Sequence, residues 1–243
     1  MAAFQRFPIR RVQVSRSATL DHEAWPATIP AVRQVLDQGL DLGRATVLVG
    51  ENGAGKSTLV EAIAMSYGIS PEGGSPNTMR ATRPSESSLH EHLTLVRNAG
   101  AGRFGYFLRA ETMHGLYTYL EQHPKHPDAP PEPAFHDMSH GESFLALIRD
   151  RFRNRGLWVL DEPESALSFT GCMALLSHLT DLLEDDRNQL ILSTHSPLLA
   201  GLPGATILEV GDWGLRPSAW EDTDLVRLWR DFLDAPRTFL RAL

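Results

Sequence analysis

The sequence has one cysteine, Cys172, among its 243 residues, so no disulfide can form within the chain. It also lacks any run approaching the roughly 18–20 apolar residues that a helix needs to cross a bilayer. Residues 1–17 contain no apolar segment of the kind found in secretory signals. These absences predict a cytoplasmic protein that is not inserted in a membrane.

Lysine is almost absent as well, because Lys56 and Lys125 are the two lysines among 23 basic residues. The formal net charge of −7 argues against a protein whose entire surface binds nucleic acid, although it does not exclude a local basic patch. Apolar residues make up 42% of the chain, enough for a sizeable core. The length fits one large domain, so we expect residues 1–243 to form a single domain.

The most specific motif is the segment GENGAGKST at 50–58, which matches G-x-x-x-x-G-K-[ST] at every defined position. An apolar run, 45–49, precedes it, and apolar residues with helical spacing follow over 59–64. Strand, glycine loop and helix are the context that the motif requires. Glycines let the backbone N–H groups turn inward to phosphate oxygens, and the helix N-terminus adds partial positive charge.

Within this loop Lys56 can reach the β- and γ-phosphates of ATP and take part in catalysis, and the Ser57 hydroxyl can bind Mg²⁺. The alternative is a glycine-rich turn before a helix, but a chance match is improbable in a chain so poor in lysine. The residues expected to bind the nucleotide here are Asn52, Gly53, Ala54, Gly55, Lys56, Ser57 and Thr58.

A second apolar run, 157–160, ends in Asp161 and Glu162. At the carboxyl end of a buried parallel strand, Asp161 would be a magnesium ligand. Glu162 would orient the attacking water or accept its proton, as a catalytic residue. The alternative is a strand that simply ends in polar residues, which is less plausible beside a matched phosphate loop.

Two further segments have both a structural and a functional interpretation. Ser139 and Glu142 form an S-x-x-E capping box, which predicts either a well-capped helix and nothing more or a phosphate-binding helix N-terminus. The apolar run 190–193 is followed by His195, which could contact a γ-phosphate or be a solvated loop histidine.

Taken in order, these four segments resemble the motifs of ATP-binding cassette (ABC) ATPases. GENGAGKST resembles Walker A, MSHGES (138–143) the family signature, LWVLDEP (157–163) Walker B, and STHSP (193–197) the switch-histidine loop. The resemblance covers most of 45–210. The sequence departs from it at His140, which replaces the first signature glycine, and at Ser168, where the family usually has aspartate.

The resemblance implies an ATP-dependent, head-to-tail homodimer that encloses two ATP molecules. Ser139 and Gly141 would then bind the γ-phosphate of the partner's ATP, and His195 would be a catalytic residue that senses the γ-phosphate. The family's glutamine after a middle strand is not evident, and Glu111, after the apolar strand 105–110, is the candidate substitute and a metal ligand.

The aromatic side chain that stacks on adenine in this family is not evident either. Phe7 and Trp25 are the candidates, although each reads more readily as a core residue.

We expect an α/β fold of the P-loop NTPase class. It would have a mostly parallel sheet flanked by helices, an antiparallel edge subdomain and a reduced helical subdomain at about 111–155. Further elements predicted from the pattern are strands at 8–14 and 25–29 and helices at 32–38, 113–122, 174–183 and 223–233.

The expected activity is Mg²⁺-dependent ATP hydrolysis, and three biological roles remain open. The first is a stand-alone ATPase resembling RecF- and SMC-like heads, acting with a protein partner in DNA maintenance or defence. The chain has two arginine clusters, each of which would be either a solvated face or a groove for DNA. The first consists of Arg97, Arg103 and Arg109, and the second of Arg149, Arg151, Arg153 and Arg155. The alternative is the ATP-binding subunit of a membrane transporter. A non-enzymatic nucleotide-gated module is disfavoured by Glu162.

Overall fold

The computed structural model describes residues 5–71, 73–75, 87–122, 133–151 and 154–241. Within these ranges the strands are β1 (Ile9–Val14), β2 (Leu40–Asp41), β3 (Ala45–Gly50), β4 (Leu93–Arg97), β5 (Gly105–Arg109), β6 (Leu157–Asp161), β7 (Gln189–Ser193), β8 (Thr206–Gly211) and β9 (Gly214–Ser218). The helices in the same ranges are α1 (Pro30–Gln38), α2 (Lys56–Tyr67), α3 (Met113–Gln122), α4 (His140–Arg151), α5 (Phe169–Leu182), α6 (Pro197–Ala200), α7 (Asp224–Asp234) and α8 (Pro236–Leu240). Arg153 of the predicted arginine cluster lies outside the described residues, as does the part of the predicted helical subdomain at 123–132.

Two sheets form the framework of the described chain. The larger has the strand order β5-β6-β7-β3-β8-β9, with parallel pairing except where β9 runs antiparallel to β8. The smaller has the order β2-β1-β4 and is antiparallel. Helices flank the larger sheet, so the predicted α/β class with a mostly parallel sheet and an antiparallel part is confirmed.

Side chains along the central strands point alternately to two buried layers. On β6, Trp158 and Leu160 belong to the layer that contains the apolar side chains of α3, α4 and α5. Leu157 and Val159 belong to the layer formed with α1, α2 and the smaller sheet. Because both faces are covered, these strands read in the sequence as continuous apolar runs, which is why they could be predicted.

One predicted strand is wrong. Residues 25–29 form turns instead, with the amide of Ile29 donating to the carbonyl of Pro26 at 3.1 Å. Proline explains the difference, because Pro26 has no N–H for a sheet ladder and Pro30 is suited to the first turn of α1. The other elements predicted from the pattern are present, with ends that differ by a few residues.

The two sheets are joined by the side chain of Gln189, at the start of β7. This side chain is fully buried. Its Oε1 accepts from the amide of Ile9 at 2.8 Å, and its Nε2 donates to the carbonyls of Ile9 at 2.6 Å and Gly43 at 2.8 Å. One amide side chain therefore satisfies three backbone groups between β1 and the central sheet.

Replacing Gln189 by leucine is expected to lower the free energy of unfolding by about 3 kcal/mol, because the backbone partners stay buried and lose their hydrogen bonds. Urea denaturation measures the change. The same substitution at the exposed Gln5 should cost less than about 0.5 kcal/mol. A loss below about 1 kcal/mol at Gln189 would contradict the bridging role.

Candidate functional site

The phosphate loop lies between β3 and α2, at the carboxyl edge of the central sheet. Gly53 and Gly55 have φ angles of +82° and +100°, a backbone conformation that glycine adopts without strain. A Cβ on Gly55 would lie 2.6 Å from Cγ2 of Ile29, so the loop is also packed tightly there. α2 begins at Lys56, which leaves its first backbone N–H groups directed into the loop.

The Lys56 side chain is held at the centre of this loop. Its Nζ lies 3.0 Å from the carbonyl oxygens of both Gly50 and Glu51, to which it donates, and 2.9 Å from Nε2 of His195. Lys56 is buried. Two carbonyl groups of the loop therefore hold the ammonium group of Lys56 inside the loop.

The charge of Lys56 is balanced by nearby carboxylates. Burial lowers the pKa of Lys56 below its ordinary value of 10.5, and the negative charges of Glu162, Asp161 and Glu164 oppose that shift. A cation surrounded in this way is suited to binding phosphate oxygens.

Asp161 is the last residue of β6 and is almost completely buried, with 2% exposure. Its Oδ1 accepts from the hydroxyl of Ser57 at 3.0 Å and from the hydroxyl of Ser193. Its Oδ2 accepts from Nε of Arg109 at 2.9 Å. The carboxylate is therefore fixed in one orientation by three donors on three different elements.

Glu162 follows directly and has a left-handed backbone, with φ of +48°. This conformation costs a non-glycine residue of the order of 1–3 kcal/mol and is found most often at functional sites. The Glu162 amide donates to the carbonyl of Ser193 at 3.0 Å, and its Oε1 lies 3.2 Å from Nε2 of His195. The turn directs Glu162 away from Asp161, so the two neighbouring carboxylates have different surroundings.

His195 links these groups. Its Nε2 lies near both Lys56 and Glu162, and its backbone amide donates to Oε1 of Glu164 at 2.5 Å. The structure thus brings together Lys56, Ser57, Asp161, Glu162 and His195, the five residues that the sequence placed on three separate segments.

A cavity of about 290 Å³ opens between the phosphate loop and the ends of β5 and β6. Its lining includes Asn52, Ser57, Arg109, Glu111, Asp161 and Glu162. The Ser57 hydroxyl and the Asp161 carboxylate, 3.0 Å apart, provide the hard oxygen ligands that Mg²⁺ prefers, so this donor set fits that ion. Glu111 is exposed at the rim of the cavity.

Ser139 and Gly141 lie elsewhere. The amide of Ser139 donates to Oε2 of Glu142 at 3.0 Å, and the amide of Glu142 donates to Oγ of Ser139 at 3.4 Å, which together form the predicted capping box. The Ser139 hydroxyl also donates to Oε2 of Glu142, at 2.6 Å. The Ser139 hydroxyl and amide hold the pKa of Glu142 below its usual range. Gly141 lies against the turn at 163–166, where a Cβ would be 3.3 Å from the carbonyl of Ala166. In the part of the chain that the structure describes, no hydrogen bond joins Ser139 to residues 50–58.

The contacts of Arg109 with Asp161 and Glu61 are not predicted by the sequence, in which this residue belongs to an arginine cluster. The signal that could have found it is its position at the end of β5, because the carboxyl ends of neighbouring parallel strands meet at one edge. Of the two aromatic candidates, Phe7 is buried as predicted, whereas Trp25 is 62% exposed and is not a core residue.

Comparison with known proteins identifies the family. The family model described as ABC transporter matches residues 34–165, more than half of the chain. The chain belongs to the ABC transporter family. With its complete phosphate loop and adjoining carboxylates, it is an ABC-type P-loop ATPase that binds and hydrolyses ATP.

Individual relatives of this ABC ATPase are ATP-binding proteins of import and export systems. The cytochrome c biogenesis ATP-binding export protein CcmA of Rhodopseudomonas palustris is 31% identical over 182 residues, covering 68% of this chain and 86% of that protein. The thiamine import ATP-binding protein ThiQ of Haemophilus influenzae is 28% identical over 194 residues, covering 70% and 85%. The arabinose import ATP-binding protein AraG of Ralstonia nicotianae is 27% identical over 219 residues, covering 80% of this chain but 42% of that protein.

A solved structure shares the ABC fold. An inward-facing metal-chelate type ABC transporter superposes with a TM-score of 0.51 at 17% identity, covering 88% of this chain and 84% of that chain. None of the described helices is both long enough and apolar enough to cross a membrane.

Proposed function

We propose that this ABC ATPase is the ATP-binding subunit of a membrane transporter and works on the cytoplasmic side of a membrane-spanning partner. The observation that carries the proposal is the set of relatives, since CcmA, ThiQ and AraG are all named as import or export ATP-binding proteins. The same relatives favour this role over DNA maintenance or defence, the role that the sequence analysis placed first.

Within the site, each residue has a role that its geometry supports. Lys56, with the loop residues 52–58, would bind the phosphates, because its ammonium group is already positioned by the carbonyls of Gly50 and Glu51. Ser57 and Asp161 would hold Mg²⁺, which supplies positive charge to the phosphate oxygens when bound. Glu111 at the cavity rim is a further candidate ligand.

Glu162 would orient the attacking water and accept its proton. The left-handed turn at this residue separates its carboxylate from the buried Asp161 and places it beside His195. His195 in turn touches Lys56, so it is positioned to sense an occupied phosphate site and act with Glu162.

Ser139 and Gly141 would complete the site of a second copy. Ser139 directly precedes α4 and Gly141 lies in its first turn. The helix has twelve residues, and its capped N-terminus is exposed and separate from the chain's own phosphate loop. This separation supports a head-to-tail, ATP-dependent homodimer in which the N-terminus of α4 faces the partner's nucleotide. Trp25, exposed four residues before the Ile29 that packs on Gly55, is the better candidate for stacking on adenine.

The test examines the membrane association and the ATP turnover of the chain, expressed at its native level in its own cells. We expect the protein to sediment with membranes, to be released with a membrane-spanning partner by mild detergent, and to hydrolyse ATP at a rate that double-stranded DNA changes less than about twofold. Salt-washed membranes control for nonspecific adsorption, and the variant Lys56→Ala controls for ATP hydrolysis by other proteins.

Several-fold stimulation of ATP turnover by DNA, without membrane association, would overturn the transporter role and support DNA maintenance. In that case the arginines that the structure describes in the clusters, such as Arg149 and Arg155, become the residues to replace. ATP turnover remains the expected activity under either outcome.

A further inference from the structure

Arg109 and Asp161 are the last residues of two neighbouring parallel strands and lie opposite each other in register. Side chains in that relation project from the same face of a sheet and lie side by side. The Arg109 Nε donates to Oδ2 of Asp161 at 2.9 Å, and its Nη1 donates to Oε2 of Glu61 at 2.7 Å. One guanidinium thus joins two carboxylates that are each at least 90% buried.

The helix after the phosphate loop supports the same arrangement. Ser57 and Glu61 are four residues apart on α2 and therefore share one face of the helix. Ser57 donates to Oδ1 of Asp161, while Glu61 accepts from Arg109, which donates to Oδ2. The four side chains form a series of contacts whose two ends, Ser57 and Glu61, lie on the same helix, and both oxygens of Asp161 are held from different directions.

A guanidinium suits this position better than any other side chain. It keeps its charge, and its rigid fork can donate to two carboxylates at once, which an ammonium group on a flexible stem does less well. Without it, the Asp161 carboxylate would lose the donor to Oδ2 and would face the charge of Glu61 across a buried space.

We propose that Arg109 is a positioning residue for the magnesium site, holding Oδ2 of Asp161 so that Oδ1, beside the Ser57 hydroxyl, is the oxygen directed to the metal. This inference rests on the proposed assignment of Ser57 and Asp161 to Mg²⁺. In this role Arg109 acts through Asp161.

The test is Arg109→Gln, with ATP affinity measured by calorimetry in the presence and absence of Mg²⁺. We expect the metal-free affinity to change less than about threefold, while the gain in affinity on adding Mg²⁺ falls about tenfold or more. The Mg²⁺ concentration for half-maximal ATP hydrolysis should rise by a similar factor, and Arg109→Lys should restore part of both losses.

Arg155→Gln is the matched control, because it removes an Nε–carboxylate pair of 2.8 Å, to Asp185, outside the site. An unchanged response to Mg²⁺ in Arg109→Gln, or a stronger one, would overturn the proposal. If that variant does not fold, Glu61→Gln combined with Arg109→Gln removes one negative and one positive buried charge together and is expected to show the same weakened response. If Arg109→Gln leaves the response to Mg²⁺ unchanged, Asp161→Asn shows which assignment is wrong. An unchanged response in Asp161→Asn as well would overturn the assignment of Asp161 to Mg²⁺. A weakened response in Asp161→Asn would overturn only the positioning role of Arg109.

Discussion

Replacing Glu162 by glutamine is expected to slow ATP hydrolysis by about 100-fold or more, because an amide replaces the carboxylate that would accept a proton from water. ATP binding should remain within about threefold, since Lys56 and the loop amides are unchanged. The variant should also accumulate as a dimer when ATP is present. Steady-state turnover, calorimetric ATP affinity and size-exclusion chromatography measure the three effects.

The matched control for this change is Glu184→Gln, an identical substitution on an exposed surface away from the site, which should leave turnover unchanged. If Glu162→Gln retained wild-type turnover, the mechanism would be wrong. If it lost turnover and ATP binding together, Glu162 would be part of the binding site rather than the base.

Replacing Lys56 by alanine should weaken ATP binding by about 100-fold, equivalent to about 3 kcal/mol, because the phosphates lose their buried cation. The carboxylates of Glu162, Asp161 and Glu164 would remain without that charge, which adds repulsion toward an anionic ligand. Calorimetry with ATP and Mg²⁺ measures the loss.

Lysine 125, the other lysine in the chain, provides the same substitution outside the motif, and Lys125→Ala should bind ATP as the wild type does. Lys56→Arg keeps the positive charge, so its ATP affinity should lie between that of Lys56→Ala and that of the wild type. Wild-type affinity in Lys56→Ala would contradict the assignment of the phosphate site.

The parts of the site that sequence could predict are those that depend on contiguous residues. Residues 50–55 constrain their own backbone and lead into a helix, and the apolar run before Asp161 predicts its own strand. These segments meet because parallel strands end at one edge of the sheet, which is a general property of the fold.

The parts that sequence could not predict depend on which strands are neighbours. The end of the predicted strand could place Arg109 at the carboxyl edge of the sheet. Its contact with Asp161 depends on the pairing of β5 with β6 in a particular register, which nothing near Arg109 in the chain encodes. The turn at 25–29 was mistaken for a strand because its apolar residues suggest one, while Pro26 and Pro30 decide the backbone.

Each end of the strand β7 makes side-chain hydrogen bonds to another part of the fold. Its first residue, Gln189, is hydrogen-bonded to the backbone of β1, and its last, Ser193, donates to the carboxylate of Asp161. The two residues are four positions apart in an extended strand, a span of about 13 Å. Both contacts therefore depend on the position of one short strand, which ties the placement of the antiparallel sheet to that of the Asp161 carboxylate.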